Sequence, residues 1–229
     1  MSFATETLDY HFNLSPEWNL PPGVEVLFPY AEQATRSAME AFYLAFYDDA
    51  RPRIGLFGIN PGRHGAGITG IPFTDPVRLE NEAGIPNGFA KRPELSSLFV
   101  YEVIRQYGGL EAFCRRFYIS SLSPLGFVRA GKNYNYYDDE HIRAAVTPHI
   151  LTHLRRQVEI GVAQQVALCL GRGQNLAYFR KVNEEQGLFG EILPLPHPRW
   201  VMQYRRKHMD AYVGQYLETL ARASKMLAE

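Results

Sequence analysis

Apolar residues along the chain alternate between helical spacing and short strand-like runs. They recur at helical spacing over residues 31–47, 95–107, 139–157, 175–183 and 205–227. Short apolar runs typical of buried strands lie between these segments, at residues 53–59, 117–120, 165–170 and 190–195. Strands that alternate with helices of this length favour a parallel sheet with helices on both faces. We therefore predict an α/β fold, a three-layer α/β/α arrangement with a four-stranded parallel central sheet.

The ends of the chain and its linkers determine the expected domain organisation. Residues 11–30 contain four prolines among scattered aromatic residues, which favours an extended N-terminal arm (about residues 1–30) packed on a core. No internal repeat and no linker rich in glycine or serine divides the chain. We expect a single domain over residues 1–229.

Composition narrows the class of partner and cofactor. Lys and Arg number 24, as do Asp and Glu, so a nucleic-acid partner would have to be bound by a local basic patch. Cys114 and Cys169 are the only cysteines, too few for a disulfide framework or a four-cysteine metal site. No apolar run reaches the ~20 residues that span a bilayer, and no secretory signal is readable. We expect a cytoplasmic monomer with no membrane association, no metal and no cofactor.

The loops after the predicted strands are the places to look for a site, because ligands bind beyond the carboxyl ends of parallel strands. The loop at residues 58–73 reads GINPGRHGAGITGIPF, and its five glycines allow the backbone to approach a ligand closely. No Gly-Lys-Ser/Thr follows, and Gly-x-Gly-x-x-Gly directly after the strand is absent, which disfavours the usual nucleotide loops. A glycine-rich surface turn is an equal alternative on these residues alone.

A second informative loop, PHPRWVMQYRRKH, occupies residues 196–208. His197 lies between two prolines, which stiffen the backbone and hold the imidazole in one place. Residues 199–208 carry three arginines and one lysine without an acid, interleaved with Trp200, Met202 and Tyr204. Basic residues with apolar wedges suit an element that grips or opens nucleic acid. The alternative is the solvated start of a terminal helix.

Other polar residues favour structural roles. His149 and His153 have the i, i+4 spacing of a zinc pair, but no Glu follows His149 and an apolar stripe flanks both. Asp138, Asp139 and Glu140 are placed to cap a helix, and Asp75 has the position of a turn or cap residue. Gly-Arg-Gly at residues 171–173 is typical of a tight strand-to-helix turn.

Taken together, GINPGRHGAGITGIPF and the later PHPR resemble the two signature motifs of the uracil-DNA glycosylase superfamily, nearest to its single-strand-selective monofunctional branch. The resemblance implies that Asn60 positions the water that attacks the deoxyribose C1′. It also implies that Phe73 stacks on the flipped base and that His197 hydrogen-bonds a base carbonyl. The expected function is that of a monofunctional DNA glycosylase of base excision repair, a hydrolase that removes uracil or another deaminated base and leaves an abasic site.

The single-strand-selective branch has an asparagine that reads the base. This chain has Ser121 at the corresponding position. A hydroxyl both donates and accepts, so hypoxanthine or xanthine are further candidate substrates, and Asn133 or Asn135 could supply the missing amide. The predicted catalytic residues are Asn60 and His197. The predicted base-binding residues are Gly62, Phe73, Ser121 and Asn133. The predicted DNA-binding residues are Arg63, Lys132, Arg199, Trp200, Tyr204 and Arg205.

DNA is the expected partner, single-stranded or mispaired, because flipping a base costs least there. One alternative is a non-catalytic nucleic-acid-binding protein that retains the fold. Another is a phosphate-handling hydrolase, which would need a metal-binding carboxylate or a lysine in the glycine-rich loop, where the chain offers only Arg63 and His64.

Overall fold

Two β-sheets form the framework of the protein in the computed structural model, which describes residues 1–228. The larger sheet is parallel, with strand order β3-β2-β6-β7, and the smaller is antiparallel, with strand order β1-β4-β5. The strands are β1 (Val24–Leu27), β2 (Arg53–Gly58), β3 (Phe117–Ser121), β4 (Gly126–Arg129), β5 (Lys132–Tyr134), β6 (Val162–Leu170) and β7 (Glu191–Leu195).

Helices surround the parallel sheet and connect its strands. Within residues 1–228 they are α1 (Phe3–Phe12), α2 (Gln33–Tyr47), α3 (Ala66–Thr69), α4 (Pro76–Asn81), α5 (Leu95–Tyr107), α6 (Leu110–Arg116), α7 (Glu140–Ile160), α8 (Gln174–Gln186), α9 (Pro198–Tyr204) and α10 (Met209–Ala228). No helix in this described part of the chain is long and apolar enough to cross a membrane.

The parallel sheet lies in the core and is covered on both faces. All six residues of β2 are buried, which requires packing on both sides because successive side chains point to opposite faces. Helices α7 and α8 contact β6, α6 contacts β2 and β3, and α10 contacts β2, β6 and β7. The predicted α/β fold with a four-stranded parallel central sheet is confirmed. Its strands all end at one edge, from which the predicted loops emerge.

The connection between β3 and α7, which the sequence pattern left without a strand, contains a hairpin. Strands β4 and β5 pair from Phe127 with Tyr134 to Arg129 with Lys132. The two residues between them, Ala130 and Gly131, have φ values of 50° and 70°, as the tight turns of two-residue hairpins require. Strand β1 pairs with β4 and completes the small sheet. The turn has alanine where asparagine or aspartate is usual, so the hairpin signal was weak in the sequence.

The N-terminal segment is not extended throughout, contrary to the prediction for residues 1–30. Residues 3–12 form α1, and the Ser2 hydroxyl accepts a hydrogen bond from the Thr5 N–H at its start. Phe3, Ala4 and Leu8 are buried, so this helix is part of the core. Because proline begins only at residue 16, the extended arm starts after the helix. The single-domain assignment stays a prediction.

The basic segment at residues 196–208 is mostly helical, which corrects two predictions. The predicted loop at residues 196–208 contains helix α9, and the predicted terminal helix over residues 205–227 begins only at Met209, as α10, after a 3-10 turn at Arg206–His208. Pro198 occupies the first turn of α9, where its missing N–H costs nothing. Helix α10 buries an apolar stripe that includes Val213, Tyr216 and Leu220. The basic residues therefore lie on and between helices.

The loop after β2 lies against the start of β4. A Cβ atom on Gly126 would lie 2.1 Å from the Pro61 carbonyl oxygen, so only glycine permits this approach. We expect Gly126→Ala to lower the free energy of unfolding by about 1–3 kcal/mol, because the clash is with backbone that must shift. Urea unfolding measures the change.

Gly88→Ala is the matched control for this prediction, because nothing lies within 4 Å of a Cβ at that exposed position. We expect a change within about 0.5 kcal/mol for the control. Equal stabilities of the two variants would contradict the close approach.

Candidate active site

The loops after the parallel strands enclose a cavity of about 690 Å³ at the carboxyl edge of the sheet. Every predicted site residue except Arg205 lines it. These residues are Asn60, Gly62, Arg63, Phe73, Ser121, Lys132, Asn133, His197, Arg199, Trp200 and Tyr204. Such a cavity at the strand ends is where the fold is expected to bind a ligand.

Asn60 follows β2, and backbone groups of another segment hold its side chain. Its Oδ1 accepts a hydrogen bond from the Tyr136 N–H at 3.3 Å. Its Nδ2 donates to the carbonyl oxygens of Tyr134 and Pro61, each at 3.4 Å. These bonds assign the amide orientation, and a second lone pair on Oδ1 remains to accept from a bound molecule.

The β4–β5 hairpin also fixes the glycine-rich loop. Asn133 Oδ1 accepts from the Arg63 N–H at 3.1 Å, and the Arg63 guanidinium donates to the Gly131 carbonyl. The N–H groups of Gly65 and Gly67 both donate to the Gly62 carbonyl. These three loop N–H groups are therefore used within the protein and are not available to a ligand.

Phe73 presents its ring to the cavity from a backbone conformation that large residues rarely adopt, with φ of 53°. A Cβ on Gly58 would lie 3.0 Å from the Phe73 ring, so the glycine leaves room for it. The ring centroid is 5.9 Å from that of His197, at an interplanar angle of 50°. A non-glycine residue held at positive φ stores strain, which is typical of functional sites.

His197 begins α9, and its protonation state follows from its contacts. Its Nδ1 accepts a hydrogen bond from the Arg199 N–H at 3.2 Å, so in the neutral ring the proton is on Nε2. Burial, and then the nearby Arg199 guanidinium, lower the pKa of His197 to about 4. The imidazole is therefore neutral at pH 7, with one N–H donor for the cavity.

Ser121 is the last residue of β3, and its backbone carbonyl is bound by a buried polar network. His153 Nε2 lies 3.1 Å from the Ser121 carbonyl oxygen, and its Nδ1 lies 2.8 Å from the Tyr10 hydroxyl. The ring thus donates to the carbonyl and accepts from the tyrosine of α1. Burial lowers the pKa of His153 to about 3. The structural role predicted for this histidine agrees with these contacts.

The rim of the cavity combines cations with exposed aromatic rings. Trp200 and Tyr204 of α9 are 39% and 59% exposed, which is unusual for large rings. The Arg205 guanidinium lies 5.1 Å from the centre of the Trp200 ring. Arg205 therefore supports the rim without lining the cavity.

Several other cavity residues were missed in the sequence. They are Ile59, Pro61, His64, Ala66, Pro72, Glu94, Ser96, Tyr137 and Gln203, whereas Asn135, the alternative base contact considered from the sequence, also lines the cavity. Glu94 and Ser96 belong to a segment that matched no motif, and only the three-dimensional fold brings them to the loop. Asp75, by contrast, caps α4 as predicted, and it also accepts from the Glu94 N–H.

Both cysteines are buried and free. Burial raises the pKa of Cys114 and of Cys169 to about 12, so both are thiols at neutral pH. Among residues 1–228, no group of three His, Cys, Asp or Glu side chains is arranged to hold a metal ion.

Comparison with known proteins identifies relatives of the chain. Residues 44–221 match the family model described as the Uracil DNA glycosylase superfamily. The structure is similar to the crystal structure of wild-type SMUG2 from Pedobacter heparinus, with a TM-score of 0.95. The two sequences are 39% identical, and the match covers 98% of this chain and 99% of that one. No curated protein sequence matches the chain.

The buried histidines predict acid sensitivity. Burial lowers the pKa of His11 to about 4 and that of His153 to about 3, whereas in the unfolded chain both titrate near pH 6.5. As pH falls from about 6.5 to about 4, the unfolded chain takes up protons that the folded chain does not. Stability should therefore fall by about 1.4 kcal/mol per pH unit for each histidine, measured by urea unfolding.

The variants His11→Gln and His153→Gln should each make this acid slope shallower. His141→Gln, at an exposed position on α7, should leave the slope unchanged. An unchanged slope in both buried variants would contradict the assignment.

Proposed function

This chain belongs to the uracil-DNA glycosylase superfamily, and we propose that its cavity binds a deaminated base flipped out of DNA. The enzyme is a DNA glycosylase, a hydrolase of DNA repair. The roles of the cavity residues and the identity of the bases are the proposal. Its strongest support is one observation, the convergence of Asn60, Phe73, Ser121 and His197 in a single cavity.

Asn60 positions the attacking water. Its Oδ1 is fixed by the Tyr136 N–H and retains a lone pair, so a water that donates to it would be held in one orientation. Orientation of a nucleophile before reaction removes much of the entropy cost of attack at C1′. The side chain does not need to be a strong base, because the sugar develops oxocarbenium character before the new bond is complete.

His197 stabilises the leaving base. Loss of the base places negative charge on its carbonyl oxygen, and a fixed donor aimed at that oxygen lowers the barrier. The neutral imidazole donates through Nε2, since Nδ1 already accepts from Arg199. Its low pKa means that it acts by hydrogen bonding, without transferring its proton.

Phe73 and Ser121 bind the base itself. The Phe73 ring offers a stacking surface, and the Ser121 hydroxyl can donate to a carbonyl or accept from a ring N–H. A group with both capacities does not restrict the site to uracil. We therefore include hypoxanthine and xanthine among the proposed substrates.

The cationic and aromatic rim contacts DNA. Arg63, Lys132 and Arg199 would bind phosphates, while Trp200 and Tyr204 of α9 would occupy the space left by the flipped base. Single-stranded or mispaired DNA is preferred in this proposal, because no stable base pair has to be broken. The monomeric state and the cytoplasmic location stay predictions.

Asn60→Ala and His197→Ala test the catalytic proposal. We expect each to slow single-turnover base release by about 10²–10³-fold, the usual cost of losing one transition-state contact. The assay uses labelled single strands containing uracil, hypoxanthine or xanthine, and alkali converts abasic sites into breaks.

Asn13→Ala and His141→Ala are the matched controls, since both side chains lie outside the cavity. Release that is unaffected by the two cavity variants would contradict the assigned roles. Absence of release with DNA binding intact would favour a non-catalytic binding protein.

The strand preference is tested with the same bases in different contexts. We expect release from single strands and mismatches to exceed release from a matched duplex by about 10-fold or more, since flipping a paired base costs a few kcal/mol. Saturating enzyme ensures that the rate constants report flipping and chemistry. Equal rate constants in all contexts would contradict the preference.

A further inference from the structure

Glu94 places a carboxyl group at the wall of the cavity. It lies at the start of α5, but its side chain does not cap that helix. Its backbone N–H donates to Asp75 Oδ2 at 2.9 Å, which fixes the main chain. Among residues 1–228, no hydrogen bond or ion pair is formed by its carboxylate oxygens, although the side chain lines the cavity.

The carboxyl group lies against the glycine-rich loop. A Cβ on Gly65 would be 2.2 Å from Glu94 Oε2, so the carboxyl occupies space that only glycine leaves open. Oε1 lies 3.5 Å from the place of a Cβ on Gly62. Burial, and then the Asp75 charge, raise the pKa of Glu94, while Arg199 opposes this. The Glu94 side chain is half-buried and lines the cavity, so a ligand that donates to the carboxylate can take the place of solvent there.

A matching donor lies at the same wall. Asn133 Nδ2 is also 3.5 Å from the Cβ position on Gly62, so the amide nitrogen and Glu94 Oε1 are at most twice that distance apart. Asn133 Oδ1 is occupied by the Arg63 N–H, which leaves the amide able only to donate. The part of the cavity next to Gly62 therefore presents a donor, the Asn133 amide, and an acceptor, the Glu94 carboxylate.

We infer that Glu94 and Asn133 together read the lactam edge of the flipped base, with Asn133 donating to the ring carbonyl and Glu94 accepting from the adjacent ring N–H. Uracil, hypoxanthine and xanthine all carry this edge. Deamination creates it in uracil and hypoxanthine, whose parent bases cytosine and adenine present an amino group and an unprotonated nitrogen, whereas guanine and thymine carry it already, so Glu94 would separate uracil and hypoxanthine from their parent bases. The inference rests on the proposed function, because it assumes that a base occupies the cavity. The inference assigns Glu94 as a specificity residue. It also explains how the base can be read in a chain that has serine, and not asparagine, at position 121.

A binding experiment separates this inference from catalysis. All proteins carry Asn60→Ala, which slows base release by about 10²–10³-fold so that little base is lost during the measurement, and binding to labelled single strands is followed by fluorescence anisotropy. The strands contain uracil, N3-methyluracil, which lacks the ring N–H, or cytosine. We expect uracil strands to bind about 10-fold or more tightly than the other two, as for a hydrogen bond to a charged group.

Additional substitutions locate the source of that preference. Glu94→Ala should reduce the preference for uracil to within about 3-fold, whereas Glu94→Gln, which keeps an acceptor oxygen but loses the charge, should retain part of it. Glu102→Gln on the same helix, where the carboxylate pairs with Arg105 outside the cavity, should change nothing. Thermal unfolding checks that each variant is folded.

Two outcomes would overturn the inference. One is an undiminished uracil preference in Glu94→Ala. The other is an equal loss of affinity for all three strands, which would mean that Glu94 only supports the loop. A uracil preference that depends on Glu94, in a chain whose native Asn60 form releases no base, would support the inference while rejecting the proposed function.

Discussion

The contact between the loop after β2 and the β4–β5 hairpin is the constraint on which the cavity depends. Pro61 approaches the backbone of Gly126, Asn60 is held by backbone groups of residues 134 and 136, and Asn133 accepts from Arg63. The hairpin is in turn fixed to the parallel sheet, because β3 leads directly into it through Ser121. The same contact brings Asn133 beside Glu94 at the loop. Loss of the contact would therefore displace Asn60, Asn133 and Arg63 together.

The parallel sheet and the main cavity residues could be predicted because both depend on local patterns. Buried parallel strands are continuous apolar runs, and residues directly after them meet at one edge, which places Asn60, Ser121 and His197 together. Helix α1 was missed because proline-rich sequence follows it closely, and the hairpin because its turn uses alanine at positive φ. Glu94 could not be found in this way, since its contact with Gly65 joins segments that no periodicity connects.

Neutral polar groups surrounded by protein are the common feature of the site. His197 and His153 both have lowered pKa values because burial disfavours the charged ring. Each accepts a hydrogen bond at Nδ1, which places the proton of the neutral ring on Nε2; His153 donates this proton to Ser121, and His197 has it available for the cavity. Fixed donors of this kind stabilise developing charge without reorganising, which suits a reaction in which the base departs as an anion. The cations stay at the rim, where phosphates can reach them.

The pH dependence of single-turnover uracil release from a single strand shows whether His197 acts as a neutral hydrogen-bond donor. We expect a rate constant that is level between about pH 6 and pH 8, because His197, with a pKa of about 4, is a neutral donor throughout that range. A rate constant that rises as pH falls through about 6.5 would show that a protonated histidine drives departure of the base. That result would contradict the proposal that a neutral His197 donates a hydrogen bond to the departing base.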